Sequence, residues 1–277
     1  MEKLVERTAK ELIRSGYAIA LTGAGISTES GIPDFRGPSG IWSRDPDAER
    51  RAYLSYARFL ENPKAWWEER LTSPSLLGDL ERVQPNPGHH ALTELEKMGI
   101  LKSVITQNVD GLHEKSGTKN VIEYHGSLLK LRCTSCNARF RTAEFDLALL
   151  LRQNQLPPRC PICSGVIKTD GVLFGEPIPP DVAHTSLEEA GKCDLMMICG
   201  TSAVVYPFAE LPRIARQRKN ETETGLHPVE RSPSVIIIEI NAEPTPLTRE
   251  GLSDYLIQGK TGEVLPKILD EVKKLKK

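Results

Sequence analysis

The side chains of this chain that are able to do chemistry are a histidine, an amide–acid pair, a set of small residues with hydroxyls, and four cysteines. His125 stands before Gly126 and just past a strand expected at residues 120–124. An imidazole is the side chain best matched to proton removal near neutral pH, so His125 is the candidate general base. The other histidines, His89, His90, His113, His184 and His227, read as surface or packing residues. Thr106-Gln107-Asn108-Val109-Asp110-Gly111-Leu112-His113 brings two amides and an acid together at the end of an apolar run.

A second group points to phosphate and ribose. Gly23-Ala24-Gly25-Ile26-Ser27 closes an apolar run with small residues, which let backbone N–H groups approach a phosphate without Cβ clashes. Gly31-Ile32-Pro33-Asp34-Phe35-Arg36 adds a turn, a carboxylate, an aromatic face and a fixed cation for a pyrophosphate. Taken alone, Gly23-x-Gly25 leaves a dinucleotide site and a mere tight turn both open, because Thr28 stands where a third glycine is usual. Gly200-Thr201-Ser202 offers further donors and hydroxyls, and Asn241-Ala242-Glu243 groups that suit ribose hydroxyls.

Cys133-x-x-Cys136 and Cys160-x-x-Cys163 are two knuckles, the sequence form of a tetrahedral all-cysteine zinc site. Redox chemistry at one pair would leave the other unexplained. Four thiolates fill the coordination sphere, so this zinc, one per chain, is assigned to folding rather than to catalysis. The long spacer leaves room for a short helix at residues 140–151. Cys193 and Cys199, by or in a buried run, read as inert packing thiols.

These residues need elements to hold them. Apolar runs at residues 18–21, 101–105, 195–199 and 235–240 read as buried strands, each followed by a polar or glycine-containing turn. Helical patterns intervene, as at residues 88–98 after the start signal Asn86-Pro87. Strands alternating with helices argue for an α/β fold with a parallel, Rossmann-like sheet, in which ligands bind beyond the strand carboxyl ends. Two segments break the alternation: residues 37–79, helical in character, with Asn62-Pro63 starting a helix, and residues 128–171, which hold the four cysteines. The expected organisation is a nucleotide-binding domain of residues 1–36, 80–127 and 172–277, with a helical insertion and a zinc ribbon forming a small lobe. Residues 219–234 read as a long exposed loop.

The 277 residues carry a net charge of -1, which gives no global pull toward nucleic acid or anionic membrane. No stretch approaches the roughly 18 apolar residues of a membrane span, and the N-terminus lacks a signal-peptide core; its Leu4, Val5, Leu12 and Ile13 suit one face of a surface helix. Lys273-Lys274-Leu275-Lys276-Lys277 reads as a solvated helix end. A cytoplasmic protein is expected, with its cysteines kept as thiols or metal ligands.

Taken in order across nearly the whole chain, the motifs resemble those of the sirtuins, the NAD-dependent protein lysine deacylases, in a prokaryotic-type deacetylase form. The matching segments include His125-Gly126, Phe174-Gly175-Glu176, Gly200-Thr201-Ser202 and Asn241. The resemblance implies NAD contacts at Gly23, Ala24, Gly25, Thr28, Asp34, Phe35, Arg36, Gln107, Asn108, Asp110, Gly200, Thr201, Ser202, Asn241, Glu243 and Thr261. It implies that NAD is consumed: the acyl-lysine carbonyl attacks the nicotinamide ribose, nicotinamide leaves, His125 helps deprotonate a ribose hydroxyl, and free lysine and O-acyl-ADP-ribose result. Asn108 would orient the ribose or a water, Asp110 would bind the carboxamide, and Phe35 would shield the sugar cation. An acyl-lysine protein or peptide is the implied partner, pairing between extended segments at residues 171–176 and 203–206. Val172 and Phe174, with Phe35 and His125, would line the lysine tunnel, with Gly175, Glu176 and Val205 near the peptide backbone. One departure matters: Thr169-Asp170-Gly171 stands where the family has Pro-Asp-Val or Pro-Asp-Ile, and the glycine is expected to loosen the hinge to the lobe.

Three rival functions are weighed. A dehydrogenase would leave the Gln107–Asp110 turn and the cysteines unexplained. A nucleic-acid-binding zinc module would want a basic stripe, which the balanced charge around residues 133–163 denies. Protein ADP-ribosyl transfer, like longer-chain deacylation, is compatible with the same site.

Overall fold

The structure is a computed structural model that describes residues 1–277 except 39, 76 and 222–234. Among the described residues the strands are β1 (Ala18–Thr22), β2 (Leu101–Thr106), β3 (Val121–Glu123), β4 (Lys130–Cys133), β5 (Arg139–Arg141), β6 (Ile167–Thr169), β7 (Leu195–Cys199), β8 (Ile236–Asn241) and β9 (Tyr255–Gln258). They form a six-stranded sheet in the order β3-β2-β1-β7-β8-β9 and a three-stranded sheet in the order β5-β4-β6.

Every pairing in the large sheet is parallel. A parallel sheet is covered on both faces, so its central strands read as unbroken apolar runs. That is why β1 and β7 are buried along their whole length. One face packs on the helices Glu2–Arg14, Pro87–Lys97 and Thr261–Leu275, through Leu12, Leu92 and Ile268. The other packs on Pro180–Lys192 and Leu211–Glu221, through Ala190, Leu211 and Ala215. The expected α/β architecture and four core strands are present, the strand ends differing by a residue or so. The loop expected at residues 219–234 begins inside the helix Leu211–Glu221; its remainder, with His227, lies outside the described residues.

The chain leaves β1 toward β2 and β3 on one side, then returns to β7, β8 and β9 on the other. The order reverses between β1 and β7, and the crevice beyond their carboxyl ends is the topological switch point of such sheets. The turns Gly23–Ser27 and Gly200–Ser202 both fall there.

The small sheet carries the cysteines. The helix expected at residues 140–151 forms only at Leu147–Arg152, capped by Asp146. Its N-terminal part is instead strand β5, because Arg139–Arg141 finds an antiparallel partner in β4. Trp66 and Trp67, on the helix Pro63–Thr72, close the core of this lobe with Leu131, Ile167 and Leu156. Asn62 caps that helix through Ala65 N, as the Asn-Pro signal predicts.

Candidate active site

The two glycine turns meet back to back. Gly25 N donates to Gly200 O at 2.8 Å, and Gly23 N to Cys199 O at 3.2 Å. A Cβ on Gly25 would lie 2.8 Å from Gly200 Cα; one on Gly200, whose φ is +62°, would lie 2.3 Å from Ile26 N. The glycines therefore serve the crossing of two loops. The N–H groups of Gly23 and Gly25 are themselves spent inside the protein.

The loop after β2 crosses the same crevice. Gln107 Nε2 donates to Thr201 Oγ1 at 2.7 Å. Asn108 Nδ2 donates to Gly23 O at 3.0 Å and Ser27 Oγ at 3.1 Å. Both amide hydrogens are then spent, leaving the amide oxygen for a ligand hydroxyl or water. Asp110 accepts from Ser27 Oγ at 2.7 Å and from Leu112 N at 2.9 Å. Its burial raises its pKa, against the lowering by these bonds. Ser27, buried between Asn108 and Asp110, is a hub the sequence analysis left out of the site, although its hydroxyl at the end of the glycine turn is the signal that marks it.

His125 sits at the far side of the crevice. Its Nδ1 lies 3.3 Å from Gln107 O. A carbonyl only accepts, so Nδ1 carries the proton and Nε2 is left unprotonated. Burial pulls the ring pKa down to about 4, with the Gln107 bond opposing. His113, bonded to Thr22 Oγ1 at 2.9 Å, is likewise lowered by burial to about 4. His89 packs beside it as part of the cap of Pro87–Lys97. These rings stay neutral in the fold, while the unfolded chain protonates them near 6.5. The unfolded state therefore binds more protons, and stability falls as pH drops below about 6.5 and on toward about 4. The expected result is a Tm clearly lower at about pH 5 than at about pH 7.5. An equal or higher Tm at the acid value would show that the rings are charged in the fold.

One cavity of about 1350 Å³ connects these groups. It is lined by Ala24, Gly25, Thr28, Asp34, Phe35 and Arg36 from the first loops, and by Gln107, Asn108, Asp110 and His125 from the edge of the sheet. Gly200, Thr201, Ser202, Asn241, Glu243 and Thr261 complete one end, and Val172, Phe174, Gly175, Glu176 and Val205 the other. Gly23 alone of the expected site residues lies behind the wall, against Thr201. Neither segment expected to be extended is a strand: Glu176 N bonds Leu173 O to close a turn, and Ala203 has φ +50°. The Glu176 carboxylate is turned into the lobe, toward Arg132 and Lys168. Gly171, at the expected hinge, has its carbonyl bonded by Lys168 Nζ at 2.7 Å.

An aromatic cluster borders the cavity through Phe35, Trp42 and Phe174, with the exposed Tyr53 packed on Phe174, and sequence reasoning missed Trp42 and Tyr53. Phe35 and Trp42 have centroids 5.0 Å apart, Trp42 and Phe174 5.7 Å, and Tyr53 and Phe174 4.6 Å. Arg36 lies 4.3 Å over the Trp42 ring. Trp42 and Tyr53 stand on helices of the insertion, and only folding brings them to Phe174.

The cavity fits a dinucleotide. Thr261 Oγ1 at its end is buried without a partner, an orphan that a ligand would satisfy. The cysteines fit zinc. Their sulfurs lie within 4.8 Å of one another, with Cys133–Cys163 at 3.5 Å and Cys136–Cys160 at 3.7 Å. A tetrahedron of sulfurs about 2.3 Å from zinc has edges of about 3.8 Å. Each knuckle closes alike, with φ +58° at Asn137 and +61° at Ser164.

The Sir2 family model matches residues 23–207. An NAD-dependent protein deacylase of Pyrococcus furiosus is 42% identical over 274 residues, covering 99% of this chain and 100% of that protein. A solved Sir2 homologue in complex with NAD is 39% identical, with TM-score 0.74, covering 99% of this chain and 94% of its own. A structure of Sir2Af2 bound to a myristoylated histone peptide is 36% identical, with TM-score 0.68, covering 100% and 99%.

Proposed function

The chain belongs to the Sir2 family and is an NAD-dependent protein deacylase, and on that premise we propose how its own residues divide the work. NAD, when bound, supplies a glycosidic bond with nicotinamide as leaving group and a ribose that takes up the acyl group. The observation that carries the assignment is the single cavity, with the nucleotide loops at one end, the Val172–Glu176 turn at the other, and Asn108 and His125 between.

The loops Ala24–Thr28, Gly200–Ser202 and Asn241–Glu243, with Thr261, hold the nucleotide, and Arg36 faces its phosphates. Asn108 presents its free amide oxygen to the ribose or a water. Asp110, held by Ser27, fixes the nicotinamide end. His125 takes a proton at Nε2 while Nδ1 stays bonded to Gln107 O. Phe35 and Trp42 exclude water from the reacting centre. The acyl-lysine enters beside Val172, Phe174 and Val205. Cys133, Cys136, Cys160 and Cys163 hold one structural zinc that ties β4 to the second knuckle. The large sheet with residues 1–36, 80–127 and 172–277 is the nucleotide domain; residues 37–79 and 128–171 are the two halves of the lobe. A cytoplasmic location rests on thiol chemistry, four grouped as metal ligands and two packed in the core. Among the described residues no helix is long and apolar enough to cross a membrane.

Mass spectrometry of the products from NAD and an acetyl-lysine peptide tests the reading. Free lysine with O-acyl-ADP-ribose supports it; an ADP-ribosylated peptide or protein in their place assigns the site to transferase chemistry.

The acyl group it prefers is neutral. No Tyr-x-x-Arg, the pair shared by succinyl- and malonyl-preferring sirtuins, occurs between Ile41 and Leu80. Beyond Phe35 the cavity continues past Trp66, Trp67, Leu71, Leu131 and Leu147. On that wall Arg51 is paired with Asp45, Arg58 with Glu69, and Arg70 stacks on Trp66. Glu68 pairs with Lys64 and Glu69 with Arg58, so the lining rather than repulsion by these acids carries the preference. Burying the free carboxylate of a succinyl group is costly where the nearby arginines already have partners or stack on Trp66, whereas each added buried methylene stabilises by about 0.8 kcal/mol. Acetyl-lysine or a longer neutral acyl-lysine should therefore exceed succinyl-lysine by about tenfold or more in kcat/KM. The acyl series on one peptide decides it, and a clear succinyl preference would overturn it.

A further inference from the structure

Four charged side chains are buried together where the three-stranded sheet meets the segment 170–176. Lys168, on β6, is 0% exposed. Its Nζ donates to Thr169 O at 2.8 Å and Gly171 O at 2.7 Å, and meets Glu176 Oε2 at 3.0 Å. All three ammonium hydrogens are thereby used. Arg132, on β4, spans two carboxylates: Nε donates to Asp170 Oδ1 at 2.8 Å, and Nη2 to Glu176 Oε1 at 2.6 Å. Glu176 also accepts from Leu173 N at 2.9 Å, which fixes the turn that carries Phe174. Burial holds Lys168 down to about 8, with Glu176 opposing.

Such a cluster is a poor source of stability, because desolvation offsets most of the attraction, but it specifies geometry. What it specifies here is reach. The backbone it grips docks on the catalytic side: Val172 N donates to His125 O at 2.8 Å. A Cβ on Gly126 would lie 2.2 Å from Asp170 O. Lys168 itself does not line the cavity, and none of the cluster's bonds reaches the glycine turns.

We propose that Lys168 and Glu176 are positioning residues for acyl-peptide capture, holding the turn at residues 171–176 against His125 from the zinc-bearing sheet. This rests on the reading of that turn as the peptide wall. It reassigns the Glu176 carboxylate from peptide contact to support of the wall.

The test is Lys168→Met, which keeps length and removes the charge. KM for an acetyl-lysine peptide should rise about tenfold while kcat falls less than about threefold. Kd for NAD should stay within about twofold, because the nucleotide loops are not touched by the cluster. Zinc should remain at one per chain, and Lys168→Arg should recover most of the KM. An unmoved KM overturns the proposal, and so does a loss of NAD affinity equal to the rise in KM. If Lys168→Met does not fold, Glu176→Gln, which keeps shape and removes charge, is judged by the same constants. Wild-type protein that makes no O-acyl-ADP-ribose would overturn the functional reading as well; wild-type turnover with an unmoved variant KM overturns this proposal alone.

Discussion

His125→Ala lowers deacylation by about 10²–10⁴-fold, the usual contribution of a placed general base, while acyl-peptide-dependent exchange of nicotinamide into NAD falls less. The inequality follows from the geometry. His125 offers Nε2 as a proton acceptor, and its Nδ1 is tied to the Gln107 carbonyl. On the proposed assignment the groups around the departing nicotinamide are different ones: Asp110 and Asn108, both bonded to Ser27, and the ring of Phe35. None of these bonds passes through the imidazole. Labelled nicotinamide measures the exchange, and O-acyl-ADP-ribose release measures the finished reaction. Equal losses would place His125 at or before bond cleavage. Unimpaired deacylation would move the base to another residue. The substitution leaves the backbone link from Val172 N to His125 O in place, so the substrate wall is preserved.

Cys160→Ala removes zinc and, with it, the order of the small lobe. The four sulfurs are the meeting point of β4 and the second knuckle, and structural zinc binding is folding free energy, on the order of 10 kcal/mol in small zinc modules. Three thiolates leave an ill-closed site. Activity should fall by about a hundredfold or more if, as proposed, the turn at residues 171–176 is the substrate wall braced from that sheet, since a displacement near 1 Å suffices for such a loss. Elemental analysis should give one zinc per chain in the wild type and much less in the variant. Freshly purified, folded and active protein without zinc would refute the assignment.

The sequence is most transparent where structure is local. β1, β2, β7 and β8 are runs of apolar residues long enough to declare themselves. The turns that follow them are where a parallel sheet puts its ligands. β9 was not anticipated, because Tyr255–Gln258 is a short edge strand with a half-exposed face and no sustained apolar run. β5 was read as helix because its partner in β4 is a matter of pairing, not of propensity. At the site, nearly every residue that the motifs name for NAD or substrate lines the cavity, since each motif sits in one loop, while the wall supplied by the helical insertion goes unnamed. Their reasons are less legible. Gly25 and Gly200 are far apart in the chain, and nothing local says that each is small to make room for the other. The same holds for Trp42 and Tyr53, whose shared neighbour Phe174 lies more than a hundred residues further along the chain.

All three tryptophans of the chain, Trp42, Trp66 and Trp67, stand in the helical insertion, and the large sheet has none. Tryptophan emission, excited to the red of tyrosine absorption, is therefore a spectroscopic report on the small lobe. Trp42 lies in the aromatic cluster beneath Arg36, while Trp66 and Trp67 sit at right angles to each other against the zinc-bearing sheet. Trp67 Nε1 donates to Ile167 O at 2.8 Å, so its indole is wired to β6. Ligand entry perturbs the first fluorophore and loss of metal the other two, whereas far-ultraviolet dichroism follows the helices of the whole chain. Unfolding of the lobe can thus be told from unfolding of the whole chain in one unlabelled sample.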